Sequence, residues 1–362
     1  MNDFVDSKLG AVSDLFDEIV SLDKPNGVSF AVRQNGKVLF SRSTQIEHNA
    51  LLPIFSGTKG LMAGTVALLA DRGLVDYQAP LSTYWPAAKS WPELTVAMAL
   101  SHRSGLPHTE GLTDSDDTWD SDAMLVKLAA TKQLVPSGNR MAYQWLTLGW
   151  FAHAIIKGVT GKSAGVAFKE LIADPYGIDA FVGVPASEQY RIKNTVKASD
   201  YRTNVFLKAD NQFASIVYGG GYTLNKPVDP WNDPINFARE LPGGGGKSNA
   251  DAMAKFYDTL LNTENGPLSE AGLNAAWTPR FEDIDYATDR PIVMAMGFER
   301  DDSIRSYGSV APAFGHTGAG GSIHGCWPEH GISFSFLPQT MRTDQEDQRG
   351  KSLLDAVAKA LI

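Results

Sequence analysis

Strand-forming sequence lies mainly near the two ends of this chain, and this distribution constrains the fold more than any other feature. Residues 27–43 read GVSFAVRQNGKVLFSRS, two β-rich runs around Asn35 and Gly36, the pair most typical of a two-residue hairpin turn. Near the other end, residues 331–338 read GISFSFLP and alternate as a strand does. Amphipathic helix patterns occupy the first twenty residues and the closing stretch SLLDAVAKALI. We therefore expect one sheet built from both ends of the chain and flanked by terminal helices.

The middle of the chain has a different pattern. Helix-like stretches such as DAMLVKLAAT, WLTLGWFAHAIIKGV and NADAMAKFYDTLLN are separated by loops rich in Gly, Pro, Asp and Asn. The predicted fold is α/β plus all-α: an antiparallel sheet domain made of residues 1–74 and 286–362, with a large, mostly helical domain, residues 75–285, inserted into it. Sites commonly form in the cleft between two such domains, and we expect the active site there.

Composition excludes several classes of function. The 362 residues carry a formal net charge of −9, which argues against a nucleic-acid partner because phosphate binding needs clustered Lys and Arg. The longest apolar run, residues 61–70, is about half as long as a bilayer-spanning helix. The acidic first residues lack the basic start and apolar run of a signal peptide. We expect a cytoplasmic protein without a membrane span, and the sequence does not predict its oligomeric state.

Cys326 is the only cysteine, so no intrachain disulfide can form, which is consistent with a reducing compartment. It lies in HGCWPEH, where His324 and His330 are further potential metal ligands. Three loosely spaced side chains without a fourth ligand do not match a zinc motif. We therefore expect no metal and no organic cofactor, and interpret Cys326 as a small buried apolar residue.

Ser56 and Lys59 stand three residues apart where PIFSGTKG runs into the apolar stretch LMAGTVALLA. If Ser56 opens a helix, this spacing places both side chains on one face. The apolar stretch has no polar face, so the helix should be buried. Burial shifts a lysine toward its neutral form, which accepts a proton from serine. The pattern alone is common, and a serine N-cap beside a solvated lysine is the alternative interpretation.

Four stretches that include this pair resemble a known superfamily. They are, in order, FSGTKGLMAGTVALLADRGLVDYQAPLSTYWP, LTVAMALSHRSGLP, MAYQWLTLGWFAHAIIKGVTGKSAG and FGHTGAGGS. Together they resemble the serine β-lactamase and penicillin-binding-protein superfamily, in particular its class C-like branch and the β-lactamase-like (family VIII) carboxylesterases. The resemblance extends from about residue 27 to the end of the chain and is least clear over residues 174–240.

The resemblance implies roles for three side chains. Ser56 corresponds to the nucleophile that is acylated, and Lys59 to its proton-handling partner. Tyr143 matches the tyrosine of the Y-x-N element, which protonates the leaving group and then takes a proton from the deacylating water. Whether Lys59 or Tyr143 accepts the serine proton stays open at this stage.

The resemblance also implies a substrate-binding strand. His316, Thr317 and Gly318 match the K-T-G element, with histidine in place of lysine. The backbone N–H of Ala319, together with that of Ser56, corresponds to the oxyanion hole. A histidine offers a neutral or switchable donor, where a penicillin-binding protein holds a fixed positive charge for a substrate carboxylate.

The Y-x-N element departs from the family pattern, because the sequence here is Tyr143, Gln144, Trp145. The asparagine amide that would hold an amide side chain of a β-lactam or peptide is missing, and Trp145 offers an apolar wall and one donor instead. Gln144 is the candidate for replacing part of that amide. With His316, this departure favours esters over lactams and peptide amides.

We therefore predict a serine carboxylesterase that cleaves small or short-chain carboxylic esters through a covalent acyl-enzyme on Ser56. The alternatives are a β-lactamase or a D-amino-acid amidase or peptidase that uses the same site, or a non-catalytic binding protein on the same fold. The expected partner is a small-molecule ester.

Three other motifs are interpreted as structural. GKSAG around Ser163 matches the nucleophile elbow of α/β-hydrolases, but a helical stretch precedes it, so Ser163 is expected to cap the next helix. GGGGKS, residues 243–248, lacks the first glycine of a phosphate-binding loop and is expected to be a flexible loop near the acyl pocket, with Ser248 or Asn249 as an N-cap. His102, in SHRSGLP, is expected to be structural.

Overall fold

The structure, a computed structural model, describes residues 3–108, 111–112, 116–202, 216–217, 229–286, 289–343 and 346–362. Its strands are β1 Phe4–Val5, β2 Val28–Gln34, β3 Lys37–Thr44, β4 Leu52–Pro53, β5 Ala180–Phe181, β6 Val196–Lys197, β7 Lys247–Ser248, β8 Phe281–Ile284, β9 Pro291–Met294, β10 Glu299–Arg300, β11 Phe314–Gly318, β12 Ser322–Trp327, β13 Ile332–Pro338 and β14 Thr340–Met341. Its helices are α1 Gly10–Asp23, α2 Gly57–Asp71, α3 Val96–Leu100, α4 Ser121–Ala129, α5 Thr147–Thr160, α6 Ala164–Phe168, α7 Asp174–Tyr176, α8 Ala250–Leu261, α9 Glu270–Trp277 and α10 Arg349–Leu361.

Within the described residues, nine strands form one antiparallel sheet in the order β1-β3-β2-β13-β12-β11-β10-β9-β8. The β2–β3 hairpin turns at Asn35 and Gly36, whose φ angles of 49° and 83° are those of the predicted two-residue turn. Strand β13 pairs with β2 along its whole length. The predicted sheet built from both ends of the chain is therefore confirmed.

The terminal helices cover one face of this sheet. Side chains of α1 and α10, including Phe16 and Leu353, share an apolar cluster with Phe30 and Phe334 of the sheet. Helices α2 and α8 lie against the strands from the other side. The predicted fold class, an antiparallel sheet flanked by terminal helices together with a largely helical part, is confirmed.

Helix α2 is buried on nearly all sides, as its apolar sequence predicts, because residues 57–69 are all buried. Three glycines let it approach its neighbours closely. A Cβ added to Gly57 would lie 2.6 Å from the His324 ring, and one added to Gly60 would lie 2.2 Å from the Tyr257 hydroxyl. A Cβ added to Gly64 would lie 2.8 Å from the Phe256 ring. This packing fixes the N-terminus of α2 against strands β11 and β12.

Residues 75–280 hold α3 to α9 and a few short strands. Strands β4, β7 and β5 form a separate small sheet, and the Ile54 N–H donates to the Gly246 carbonyl at 3.0 Å. This sheet therefore brings the glycine-rich segment beside the residues that precede Ser56. Strand β8 joins the large sheet by pairing with β9. The domain division at residues 75 and 285 stays a prediction. None of the helices in the described ranges combines the length and apolar composition needed to span a bilayer.

Candidate active site

Ser56 stands at the N-cap of α2, after Phe55, which has a φ of 46°. Its side chain makes no capping hydrogen bond to the helix, although serine commonly does so at this position. The hydroxyl is instead 2.9 Å from the Lys59 Nζ and 3.1 Å from the Tyr143 Oη. Ser56 is only 8% exposed. The structure therefore brings together the three side chains that the sequence singled out.

Lys59 is completely buried, one helical turn after Ser56. Burial lowers its pKa to about 7, although the negative charge of Glu299 opposes this shift. Its Nζ also donates to the Gly243 carbonyl at 2.6 Å. The amine is thus held in place beside the Ser56 hydroxyl, and a substantial fraction of it is neutral near pH 7.

Tyr143 reaches Ser56 from a different part of the chain. Its backbone N–H donates to the buried carboxylate of Asp285 at 2.9 Å, and its ring lies 4.6 Å from the ring of His102, measured between centroids. The Nδ1 of His102 accepts the Gln144 N–H at 2.9 Å. Burial lowers the pKa of His102 well below its usual range. These are the contacts of a structural residue that supports the Tyr143 loop.

His316 lies on β11, opposite His324 of β12. Its Nδ1 is 2.8 Å from the Thr317 carbonyl; a carbonyl can only accept, so Nδ1 carries the hydrogen. Burial lowers the pKa of His316 to about 4, although nearby Glu299 acts in the opposite direction. His316 is therefore neutral at pH 7 and does not provide the fixed positive charge of the family lysine.

The remainder of the β11 segment passes close to the nucleophile. A Cβ added to Gly318 would lie 2.3 Å from the Ile54 carbonyl, so only glycine fits there. The Thr317 hydroxyl donates its hydrogen to Glu299 at 2.7 Å, so this hydrogen is not available for a hydrogen bond to a substrate. Ala319 follows, partly buried. Among the described residues, neither its N–H nor that of Ser56 has a backbone acceptor, as an oxyanion hole requires.

The two residues after Tyr143 have different environments. Gln144 is completely buried; its amide oxygen accepts from the Ser104 hydroxyl at 2.7 Å, and its amide nitrogen donates to the Ala99 carbonyl at 2.8 Å. The suggestion that Gln144 contacts substrate is therefore corrected, because both ends of its amide are engaged inside the protein. Trp145 is partly buried, with its ring centroid 6.1 Å from that of Trp231.

Sequence reasoning missed several groups around the site. Trp231 contacts Phe55 and Trp119 as well as Trp145, and its indole N–H donates to the Gly244 carbonyl at 2.6 Å. Glu299 lies beside the His316 strand. No motif marks these residues, because each reaches the site through long-range packing.

The remaining motifs do not converge on Ser56. Ser163 caps α6 and donates to Glu240 at 2.6 Å, as a structural serine. Asn249 caps α8, as one of the two predicted candidates. Residues 241–250 are all buried, and a Cβ added to Gly149 would lie 1.9 Å from the Gly243 nitrogen. The glycine-rich loop, expected to be a flexible loop near the acyl pocket, is thus packed into the protein.

His324, Cys326 and His330 do not form a cluster. The His324 Nδ1 lies 2.8 Å from the Ser335 hydroxyl, and the Cys326 thiol points to the Phe314 carbonyl at 3.6 Å. His330 lies in the turn that follows β12. Within the described parts of the chain, no group of three His, Cys, Asp or Glu side chains is arranged to hold a metal ion.

A family model described as Beta-lactamase matches residues 12–359. The protein Esterase/beta-lactamase LipL of Mycobacterium tuberculosis is 30% identical over 302 residues, which cover 78% of this chain and 68% of LipL. A penicillin-binding-protein homologue from Caulobacter crescentus has a TM-score of 0.88 and 26% identity, with all of both chains covered. A family VIII carboxylesterase has a TM-score of 0.87 and 26% identity, with 99% of each chain covered.

The matched region contains the whole serine, lysine and tyrosine constellation and the strand beside it. The fold and the order of the motifs agree with this match over almost the full length of the chain. This chain belongs to the Beta-lactamase family of serine hydrolases.

Proposed function

We propose that this protein hydrolyses small or short-chain carboxylic esters through a covalent acyl-enzyme on Ser56. The observation that carries the proposal is the convergence of the Lys59 Nζ and the Tyr143 Oη on one serine oxygen, at 2.9 and 3.1 Å. Hydrogen-bond contact between a nucleophile and a base that is itself held in place is typical of an activated serine.

In the acylation step, the Ser56 oxygen attacks the ester carbonyl while its proton passes to the neutral amine of Lys59. A pKa of about 7 suits Lys59 to this role at neutral pH. The N–H groups of Ser56 and Ala319 stabilise the oxyanion that forms. When the carbon–oxygen bond breaks, the leaving alkoxide takes a proton from the Tyr143 hydroxyl, and Lys59 returns its proton to Tyr143.

Deacylation reverses these transfers with water as the nucleophile. Water attacks the acyl carbonyl, and its proton passes through Tyr143 and Lys59. The ester bond to Ser56 then breaks and the serine oxygen recovers a proton, which releases the carboxylic acid. The burial of Lys59 favours its neutral form, which is the form that accepts a proton in both steps.

Two features of the site favour esters over β-lactams and peptide amides. A neutral His316 offers no fixed charge to the carboxylate that β-lactams and peptide termini carry. The residues that replace the family asparagine also present no free amide, because the Gln144 amide is engaged by Ser104 and Ala99 and Trp145 is apolar apart from its indole N–H.

A β-lactamase activity is the second candidate, because the relative LipL is named as both an esterase and a β-lactamase. Turnover of nitrocefin should be compared with that of p-nitrophenyl butyrate. We expect the ester to be hydrolysed with the higher kcat/KM, and equal or faster turnover of nitrocefin would assign the lactam as the better substrate.

The nucleophile is tested by labelling the protein with a fluorophosphonate and mapping the adduct by mass spectrometry. We expect the adduct on Ser56, and expect Ser56→Ala to lose both labelling and ester hydrolysis. Ser163→Ala is the matched control and should keep both, because Ser163 is occupied in capping α6. Activity lost in Ser163→Ala but kept in Ser56→Ala would overturn the proposal.

A further inference from the structure

Among the described residues, the end of β11 nearest Ser56 has no strand beside it on the side of β10. In the described residues, β10 pairs with β11 at Phe314 and Gly315 alone, because the chain before β10 turns away at Gly297, where φ is 87°. The N–H of Thr317, two residues farther along β11, therefore faces no strand on this side. An N–H without an acceptor inside a protein is unfavourable, so this position needs another acceptor.

The carboxylate of Glu299 takes the place of the missing strand. Its Oε2 accepts the Thr317 N–H at 2.8 Å and the Thr317 hydroxyl at 2.7 Å, and the Tyr307 hydroxyl donates to the same oxygen at 3.2 Å. Burial alone would raise the pKa of Glu299, but neighbouring His316 and Arg290 and the hydrogen bonds from Thr317 lower it to about 2. The carboxylate is therefore ionised at neutral pH, and its Oε2 accepts three hydrogen bonds.

The segment that Glu299 holds lies against the residues just before the nucleophile. Both backbone polar groups of Thr317 are fixed, its N–H by Glu299 and its carbonyl by the His316 Nδ1 at 2.8 Å. The next residue, Gly318, lies directly against the Ile54 carbonyl, two residues before Ser56. A shift of the outer edge of β11 would therefore move the Ala319 N–H relative to the Ser56 N–H.

We propose that Glu299 is a positioning residue whose carboxylate fixes residues 317–319, so that the N–H groups of Ala319 and Ser56 point at the same oxyanion. This inference rests on the proposed function, in which those two groups form the oxyanion hole. Loss of one oxyanion-hole donor lowers kcat by about 10²–10³-fold. Displacement of that donor should therefore lower kcat while KM changes little.

Three variants of the full chain test the inference: Glu299→Ala, Glu299→Gln and Tyr307→Phe. Rates with p-nitrophenyl butyrate at the optimum pH are divided by the number of sites that a fluorophosphonate labels at completion, which removes misfolded protein from the comparison. We expect kcat per site to fall about 100-fold in Glu299→Ala and about tenfold in Glu299→Gln, whose amide oxygen still accepts from Thr317. Tyr307→Phe should stay near wild type because it leaves both Thr317 contacts intact.

The possible results separate this inference from the proposed function. Wild-type turnover in Ser56→Ala would overturn both. An inactive Ser56→Ala together with wild-type kcat in Glu299→Ala would overturn the positioning role alone. Equal losses in Glu299→Gln and Glu299→Ala would assign the effect to the charge of Glu299 and would also overturn the positioning role. If Glu299→Ala does not fold, a wild-type kcat in Glu299→Gln would overturn the positioning role.

Discussion

Two buried lysines of this protein share an environment but differ in what they face. Lys59 and Lys247 are both almost completely inaccessible, and burial lowers the pKa of each to about 7. The Lys59 Nζ is 2.9 Å from the Ser56 hydroxyl. The Lys247 Nζ donates to the Trp231 carbonyl at 2.8 Å and lies 5.1 Å from the centre of the Phe237 ring. A lowered pKa thus identifies a buried lysine, and the group beside the amine decides whether it is a base.

The difference between the two lysines is tested most directly by replacing each amine. Lys59→Met should lower kcat/KM for p-nitrophenyl butyrate by about 10³-fold, because it removes the proton acceptor of Ser56 and preserves the length and apolar stem of the side chain. Lys247→Met is the matched control and should stay within about threefold of wild type, since it removes no group that touches the serine. Similar losses of kcat/KM in the two variants would show that activity depends on a buried amine as such and not on the group beside it.

The second difference is a tyrosine hydroxyl, which approaches the Ser56 oxygen beside Lys59, whereas the Lys247 amine donates to the Trp231 carbonyl. Tyr143→Phe removes the contact of 3.1 Å to the serine oxygen but keeps the ring against His102. We expect kcat to fall about 100-fold through loss of proton transfer to the leaving group. Thermal unfolding is the control, and the midpoint should not move by more than about 2 °C. A wild-type kcat would remove Tyr143 from the mechanism.

The value of kcat/KM should depend on pH, because only the neutral form of Lys59 can accept a proton. With a pKa of about 7, about half of the amine is neutral at pH 7 and about 1% of it at pH 5. The kcat/KM profile should therefore drop about 50-fold between pH 7 and pH 5. Among the groups that face Lys59, burial keeps His102 and His316 neutral over this range.

Glu299 provides the control for this profile. Its charge raises the pKa of Lys59 against the effect of burial, so Glu299→Gln should move the acidic limb to lower pH. An acidic limb that stays in place in this variant, or a wild-type midpoint below about pH 5, would contradict the assignment of the limb to Lys59.

The sequence could predict the part of the site that is local. The spacing of Ser56 and Lys59 and the apolar run behind them predicted a buried amine beside a hydroxyl, and the structure has that geometry. Tyr143 and His316 came from a family resemblance, because nothing in their own neighbourhood indicates that they approach Ser56. The fold could be predicted because the sequence patterns that indicate its strands and helices are themselves local.

The rest depends on contacts that sequence patterns do not encode. Gln144 was expected to face substrate, but Ala99 of α3 and Ser104 of the loop after it engage its amide, some forty residues earlier in the chain. Glu299 has no motif, since the role proposed for it follows from the point at which β10 begins. Lys247 looked like the lysine of an incomplete phosphate loop, and its actual partner, the Trp231 carbonyl, becomes visible only in the folded chain.

The smallest expected effect on activity, that of Lys247→Met, should be accompanied by a gain in stability. The pKa of Lys247 is about 7 in the folded protein and about 10.4 in an unfolded chain. Between these values the unfolded state binds more protons, so the free energy of unfolding of the wild type rises with pH. Below this window the cost of burying the ammonium is fully present, and above it the cost disappears.

Replacing this amine with a methionine removes that cost together with one hydrogen bond to Trp231. We expect a gain of about 2 kcal/mol in the free energy of unfolding at pH 7.5, measured by urea titration, and a much smaller gain at pH 10. Lys59→Met should show a comparable gain because its burial and pKa are the same. A loss of stability in Lys247→Met at pH 7.5 would mean that its contact with Trp231 outweighs the cost of burial. Equal gains in stability, with activity lost in Lys59→Met alone, would separate the effect of burial from that of the neighbouring serine.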